Sequence, residues 1–118
     1  MIRSLMAAMA ATAIVLSGML AASAAEPIEG VWKRPSTGTL VRYSGSGSKF
    51  CGTVLEGEYK GKSIGCMEGT GGTYKGTVIA LDEGKTYAGK ASINGNSMSL
   101  KGCVAGGLIC KGETWARQ

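Results

Sequence analysis

The chain has 118 residues, no histidine, four cysteines and a formal net charge of +5. That length bounds the fold to one domain, and the missing histidine removes the commonest general base and metal ligand together. Lys and Arg are scattered along the chain, with no cluster denser than Lys60-Gly61-Lys62, so the basic balance reads as a solvated surface and excludes a nucleic-acid stripe.

The first segment reads as an export leader. Arg3 supplies the positive start, and residues 5–20 are an almost unbroken apolar run. The run then relaxes into Ala21-Ala22-Ser23-Ala24-Ala25, the small residues that a signal peptidase requires, ahead of Glu26 and Pro27. A membrane anchor fits less well, because the run falls short of the roughly 20 residues that span a bilayer. The expectation is a signal peptide over 1–25 and a single domain over 26–118, periplasmic or secreted, with no membrane span in the mature chain.

Beyond residue 25 there is no sustained helical periodicity. Short β-rich runs alternate with turn signals, and the reading places strands at 28–34, 39–44, 49–56, 74–81, 86–93, 98–104 and 110–117, with a short eighth near 62–67. The turns carry residues that tolerate left-handed backbone: Ser44-Gly45-Ser46-Gly47-Ser48, Asp82-Glu83-Gly84, Asn94-Gly95-Asn96 and Ala105-Gly106-Gly107. Tyr87, Gly89, Ala91 and Ile93 alternate with Thr86, Ala88, Lys90 and Ser92, which gives one apolar and one wet face. Mid-strand glycines such as Gly52, Gly76 and Gly89 suit tight coiling. The predicted fold is all-β, a small antiparallel barrel of seven to eight strands.

The four cysteines, Cys51, Cys66, Cys103 and Cys110, permit three pairings. Cys51–Cys66 with Cys103–Cys110 is favoured, because the second pair flanks a Gly-rich hairpin loop and the first ties down the 57–73 segment. Structural disulfides fit an oxidising compartment better than redox catalysis, since no Cys-x-x-Cys occurs, or zinc, which would need four converging thiolates.

The residues also resemble a known family. Gly30-Val31-Trp32, Phe50-Cys51-Gly52-Thr53-Val54 and Gly76-Thr77-Val78-Ile79-Ala80-Leu81-Asp82 carry the likeness. It continues through Gly84-Lys85-Thr86-Tyr87, Leu100-Lys101-Gly102 and Thr114-Trp115-Ala116-Arg117. Over residues 30–117 the chain resembles the bacterial domain of unknown function 2147. That resemblance implies a lipocalin-like barrel with no established activity and no functional residues to transfer. The segment between Leu55 and Tyr74 is shorter than in many members, and a shortened wall would narrow or close an interior cavity. In lipocalin-like barrels a Trp on the first strand packs against an Arg on the last, so the likeness implies a barrel-closing pair of Trp32 and Arg117, a cation–π contact.

Apparent catalytic motifs lack their partners. Gly61-Lys62-Ser63-Ile64-Gly65 fits the nucleophile-elbow pattern without a helix or a histidine, and Ser46-Gly47-Ser48-Lys49 lies in a hairpin turn. Gly69-Thr70-Gly71-Gly72 lacks the Lys of a phosphate loop and reads as a mobile loop. Glu56 and Glu58 read as solvated residues at a strand end rather than as a glycosidase pair. The aromatic residues are expected mostly to fill the interior; if a pocket exists, Tyr43, Tyr87 and Trp115 are the candidates to line it. The functional expectation is a non-enzymatic envelope protein without cofactor or metal, binding a small apolar ligand or an envelope protein and no nucleic acid. The rival expectation is an inhibitor of an envelope hydrolase, a protease or lysozyme, that presents a rigid loop.

Overall fold

A computed structural model describes residues 25–118. The expected leader, residues 1–25, lies outside the described residues but for its last residue. No helix among the described residues is long and apolar enough to cross a membrane.

Eight antiparallel strands close into a barrel in sequence order: β1 (Gly30–Lys33), β2 (Leu40–Ser46), β3 (Lys49–Val54), β4 (Ser63–Thr70), β5 (Thr73–Ala80), β6 (Lys85–Asn94), β7 (Ser97–Val104) and β8 (Ile109–Arg117). Each strand lies beside its sequence neighbour, and β1 meets β8 to complete the circle. The short connections dictate this up-and-down order, since two-residue turns join only antiparallel neighbours. Gly47-Ser48, Gly71-Gly72 and Gly95-Asn96 make such turns at one end of the barrel. The longer loops 34–39, 55–62, 81–84 and 105–108 gather at the other.

Three expectations are corrected. Gly69-Thr70-Gly71-Gly72 is not a mobile loop. Gly69 and Thr70 pair with Tyr74 and Thr73, and Gly71 and Gly72 turn the chain with φ of 74° and 109°. Pairing with β5 carries the eighth strand beyond its predicted end at 67 to Thr70. The first strand starts at Gly30 rather than at residue 28, because Ile28 is used otherwise.

Ile28 belongs to a turn in which Glu29 N–H donates to the Glu26 carbonyl. The turn lies across the short-turn end of the barrel and drives the Ile28 side chain into it, where it is 0 % exposed. Several groups hold it. Tyr74 Oη and Gly71 N–H both donate to Glu26 Oε1 at 2.8 Å, and Trp32 Nε1 donates to the Ile28 carbonyl at 2.9 Å. Burial, then the hydrogen bond to Glu26, pushes the Tyr74 phenol above its ordinary pKa. The Arg117 guanidinium sits 4.2 Å over the Trp32 ring and donates to the carbonyls of Glu29 (2.9 Å) and Pro27 (2.7 Å). Gly30 permits that approach. Its φ is +132°, and Arg117 Nη1 lies 2.9 Å from where a Cβ would stand.

Above this plug the interior is packed by Trp32, Phe50, Met67, Tyr74, Ala91 and Met98, all buried. Phe50 and Tyr74 meet edge to face at 5.9 Å. Fully burying each large apolar side chain contributes about 1.5–3 kcal/mol. The outward positions hold both disulfides, Cys51–Cys66 and Cys103–Cys110, each joining residues paired directly across neighbouring strands.

Replacing Arg117 by Ala leaves two backbone carbonyls without their charged donor and removes the stacked cation. The expected loss is about 2 kcal/mol in chemical unfolding. Arg117→Lys should recover only part of it, because an ammonium cannot both stack and fork.

Candidate functional site

The packing does not continue to the loop end. A cavity of about 720 Å³ opens there, walled by Ile64, Val78, Tyr87, Leu100, Val104 and Trp115, with Lys111 and Glu113 among its polar lining. The aromatic residues were expected mostly to fill the interior; Trp32, Tyr43, Phe50 and Tyr74 do, and the space lies beyond them at the loop end. The cause lies in the residues that face inward on β6, β7 and β8 near this end. Gly102 stands beside Tyr87 and offers no side chain, while Val104 and Ile109 pair at the rim instead of reaching across. A smaller recess of about 290 Å³ adjoins it under the 55–62 loop and shares Arg34, Ile64, Ile79 and Trp115 with it.

Each wall residue is set by strand alternation. Leu100 pairs with Glu113, and Met98 with Trp115, so these side chains project to the same face. Ile64 reaches the interior through a bulge. The β3–β4 register slips between Cys51 and Thr53, and Gly65 takes φ +106° there. Ile64, Leu100 and Trp115 are buried and form the floor.

One polar cluster stands against this apolar wall. Arg34 Nε donates to Glu113 Oε1 at 2.8 Å, and Trp115 Nε1 donates to the same oxygen at 3.2 Å. Partial burial would push the Glu113 carboxyl up. The hydrogen bonds and the Arg34 charge outweigh it and hold the group below its ordinary value of 4.5. Glu113 therefore stays ionised and occupied. Its carboxylate holds Arg34 and Trp115 in place.

Tyr87 lines the cavity, and its hydroxyl donates to Glu83 Oε1 at 2.7 Å, which raises its pKa. Trp115 lines it as well. Tyr43 does not: it is 0 % exposed in the packed core, outside the lining of either space. Its ring lies against Gly52, where a Cβ would come within 2.9 Å of Tyr43 Cζ, and its hydroxyl has no hydrogen-bond partner. Burial pushes that phenol's pKa far up. Trp32 and Arg117 are brought together at the opposite end, away from the cavity.

Glu56 and Glu58 are exposed at the rim of the smaller recess. Ser63, within the Gly61–Gly65 motif, begins a strand and accepts from Gly65 N–H. Among the described residues, no group of three or more His, Cys, Asp or Glu side chains is placed to hold a metal ion. Sequence reasoning missed the Arg34–Glu113 pair. The two residues are 79 positions apart and meet only because β1 and β8 close the circle.

Fold and site together define a small eight-stranded antiparallel barrel, plugged at one end and hollow at the other. Residues 61–117, from the β3–β4 loop through β8, match a family model described as an uncharacterized protein conserved in bacteria, DUF2147. The resemblance read from the sequence is shown over that span, and residues 30–60 lie outside the match. No curated protein and no solved structure matches the chain.

The lowered pKa of Glu113 fixes the sign of a pH effect. The unfolded chain binds the proton more readily, so Glu113 contributes stability above about pH 4.5 that is lost as pH falls through its lower folded value. Glu113→Gln should flatten that part of the profile when urea midpoints are compared across acid pH.

Proposed function

We propose that this is an exported, non-enzymatic binding protein that holds a small, mainly apolar molecule in the hollow half of its barrel. The observation that carries the reading is the 720 Å³ cavity itself. That volume lies within the range of small-molecule sites, and an apolar wall with a few fixed polar groups is their usual lining. Ile64, Val78, Leu100 and Val104 supply the apolar contact, Tyr87 and Trp115 flat aromatic surface, and Arg34 and Lys111 the donors. Burying a ligand's apolar surface against them contributes roughly 25 cal/mol per Å² before ordering costs. Residues 1–25 support export, and two disulfides are compatible with an oxidising compartment. The absence of histidine and the occupied state of Glu113 support a binding role over a catalytic one.

Protein taken from its native compartment should begin at Glu26 and show, by native mass spectrometry, a bound mass released on denaturation. Val104→Trp, at the half-exposed rim, should reduce that occupancy about ten-fold or more, while Tyr43→Phe leaves it unchanged. A bare protein under both conditions would remove the reading.

One observation favours a second reading, inhibition of an envelope hydrolase. Leu108 and Ile109 are 86 % and 62 % exposed on a hairpin tied by Cys103–Cys110. A rigid apolar tip is suited to a groove on another protein. If this is its use, the purified protein slows a lysozyme or a periplasmic protease, and Leu108→Ser abolishes the effect.

A further inference from the structure

The strand register assembles a charged feature that no stretch of sequence displays. Lys75 on β5 pairs with Lys90 on β6, and Lys90 pairs with Lys101 on β7. All three are exposed. They form one row across the outside of the barrel, one lysine per strand, at the strand spacing of about 4.8 Å. On β8 the row ends at Gly112, which leaves it open on that side. On β4 it is followed by Glu68, beside Lys75, and then by Lys49 on β3. The next row toward the plugged end is Thr73, Ser92, Ser99 and Thr114, again one residue per strand. No acidic residue occupies an outward position on β6, β7 or β8: those positions are Thr86, Ala88, Lys90, Ser92 and Asn94, then Ser97, Ser99, Lys101 and Cys103, then Cys110, Gly112, Thr114 and Ala116.

This arrangement works against the fold. Like charges directly opposite each other destabilise a sheet, and lysine is depleted in strands. Among the described residues the only ion pair within 4.0 Å is Arg34–Glu113; Glu68, opposite Lys75, is the one carboxylate in the row, and Lys90 and Lys101 have none directly opposite them. Lysines often guard the open edge of a sheet against pairing with another chain, but a closed barrel has no edge to guard. The charges therefore serve neither packing nor edge protection.

We infer that the outer face of β5–β8 binds a linear polyanion, laid across the strands so that successive phosphate or sulfate groups meet Lys75, Lys90 and Lys101. The hydroxyls of Thr73, Ser92, Ser99 and Thr114 stand alongside to donate to the remaining anionic oxygens. A chain is specified rather than a single ion because the amines are spaced along a line. A bilayer fits less well: the exposed apolar residues Leu108 and Ile109 sit at the loop end of the barrel, whereas the row crosses the middle of its wall. This site is separate from the cavity and stands whether or not the cavity takes a ligand.

The test uses long-chain inorganic polyphosphate as the probe, with orthophosphate and anionic phosphatidylglycerol vesicles as comparisons. At low ionic strength polyphosphate should bind, weakening steadily as salt rises. The variant Lys75→Gln/Lys90→Gln/Lys101→Gln should bind about 100-fold more weakly. It should fold at least as well as the parent, because it removes repulsion, and its thermal midpoint checks this. The charge-matched variant Lys33→Gln/Lys60→Gln/Lys62→Gln should bind polyphosphate like the parent. An equal loss in both variants would reduce the effect to net charge and overturn the site. So would orthophosphate binding as tightly as the polymer, no binding of polyphosphate at all, or a preference for vesicles that Leu108→Ser abolishes.

Discussion

Arg117 engages the Trp32 ring and the carbonyls of Pro27 and Glu29 at once, and the circle of strands closes around it. The seam it guards is short. β1 and β8 share two paired positions, Trp32 with Arg117 and Lys33 with Ala116, where β5 and β6 share eight. Two rungs alone would be a weak closure, so side chains fasten the seam at both ends. Arg117 does so at the plug and Arg34, through Glu113 on β8, at the mouth. A guanidinium suits both places because it stacks, forks and keeps its charge.

Fastening one end with a plug makes the interior unequal. Ile28 fills the space beneath Trp32, and the large side chains of β3, β4, β5 and β7 crowd above it. The other half has smaller inward residues and is capped by loops alone, so it stays hollow. The two halves need opposite things from sequence. One needs close packing, whose loss costs stability. The other needs a wall stiff enough to stay open, and the outer disulfides stiffen that wall without entering the cavity.

Much of this was legible in the chain. Period-two alternation and Gly- or Asn-based turns place seven strands within a few residues, because those signals are local. The favoured cysteine pairing, Cys51 with Cys66 and Cys103 with Cys110, also follows local logic, since each pair sits on neighbouring strands. What was not legible depends on register. The bulge at Gly65 turns Ile64 inward, and the seam brings Arg34 to Glu113. Tyr43 was a candidate for the pocket, yet the missing side chain at Gly52 lets its ring lie flat inside the core. The lysine row is the extreme case: Lys75, Lys90 and Lys101 are distant in sequence and read as scattered, and pairing alone aligns them.

The order of the strands also sets the order of assembly. β1 needs both β2 and β8 as neighbours, and β8 is the barrel's final strand. While synthesis proceeds from the N-terminus, the growing polypeptide can form hairpins but cannot complete a cylinder, since its clasp is still missing. Only when the segment bearing Arg117 emerges can the first strand be locked in place. A topology of this kind leaves the newborn chain an open ribbon of hairpins until its last rung arrives.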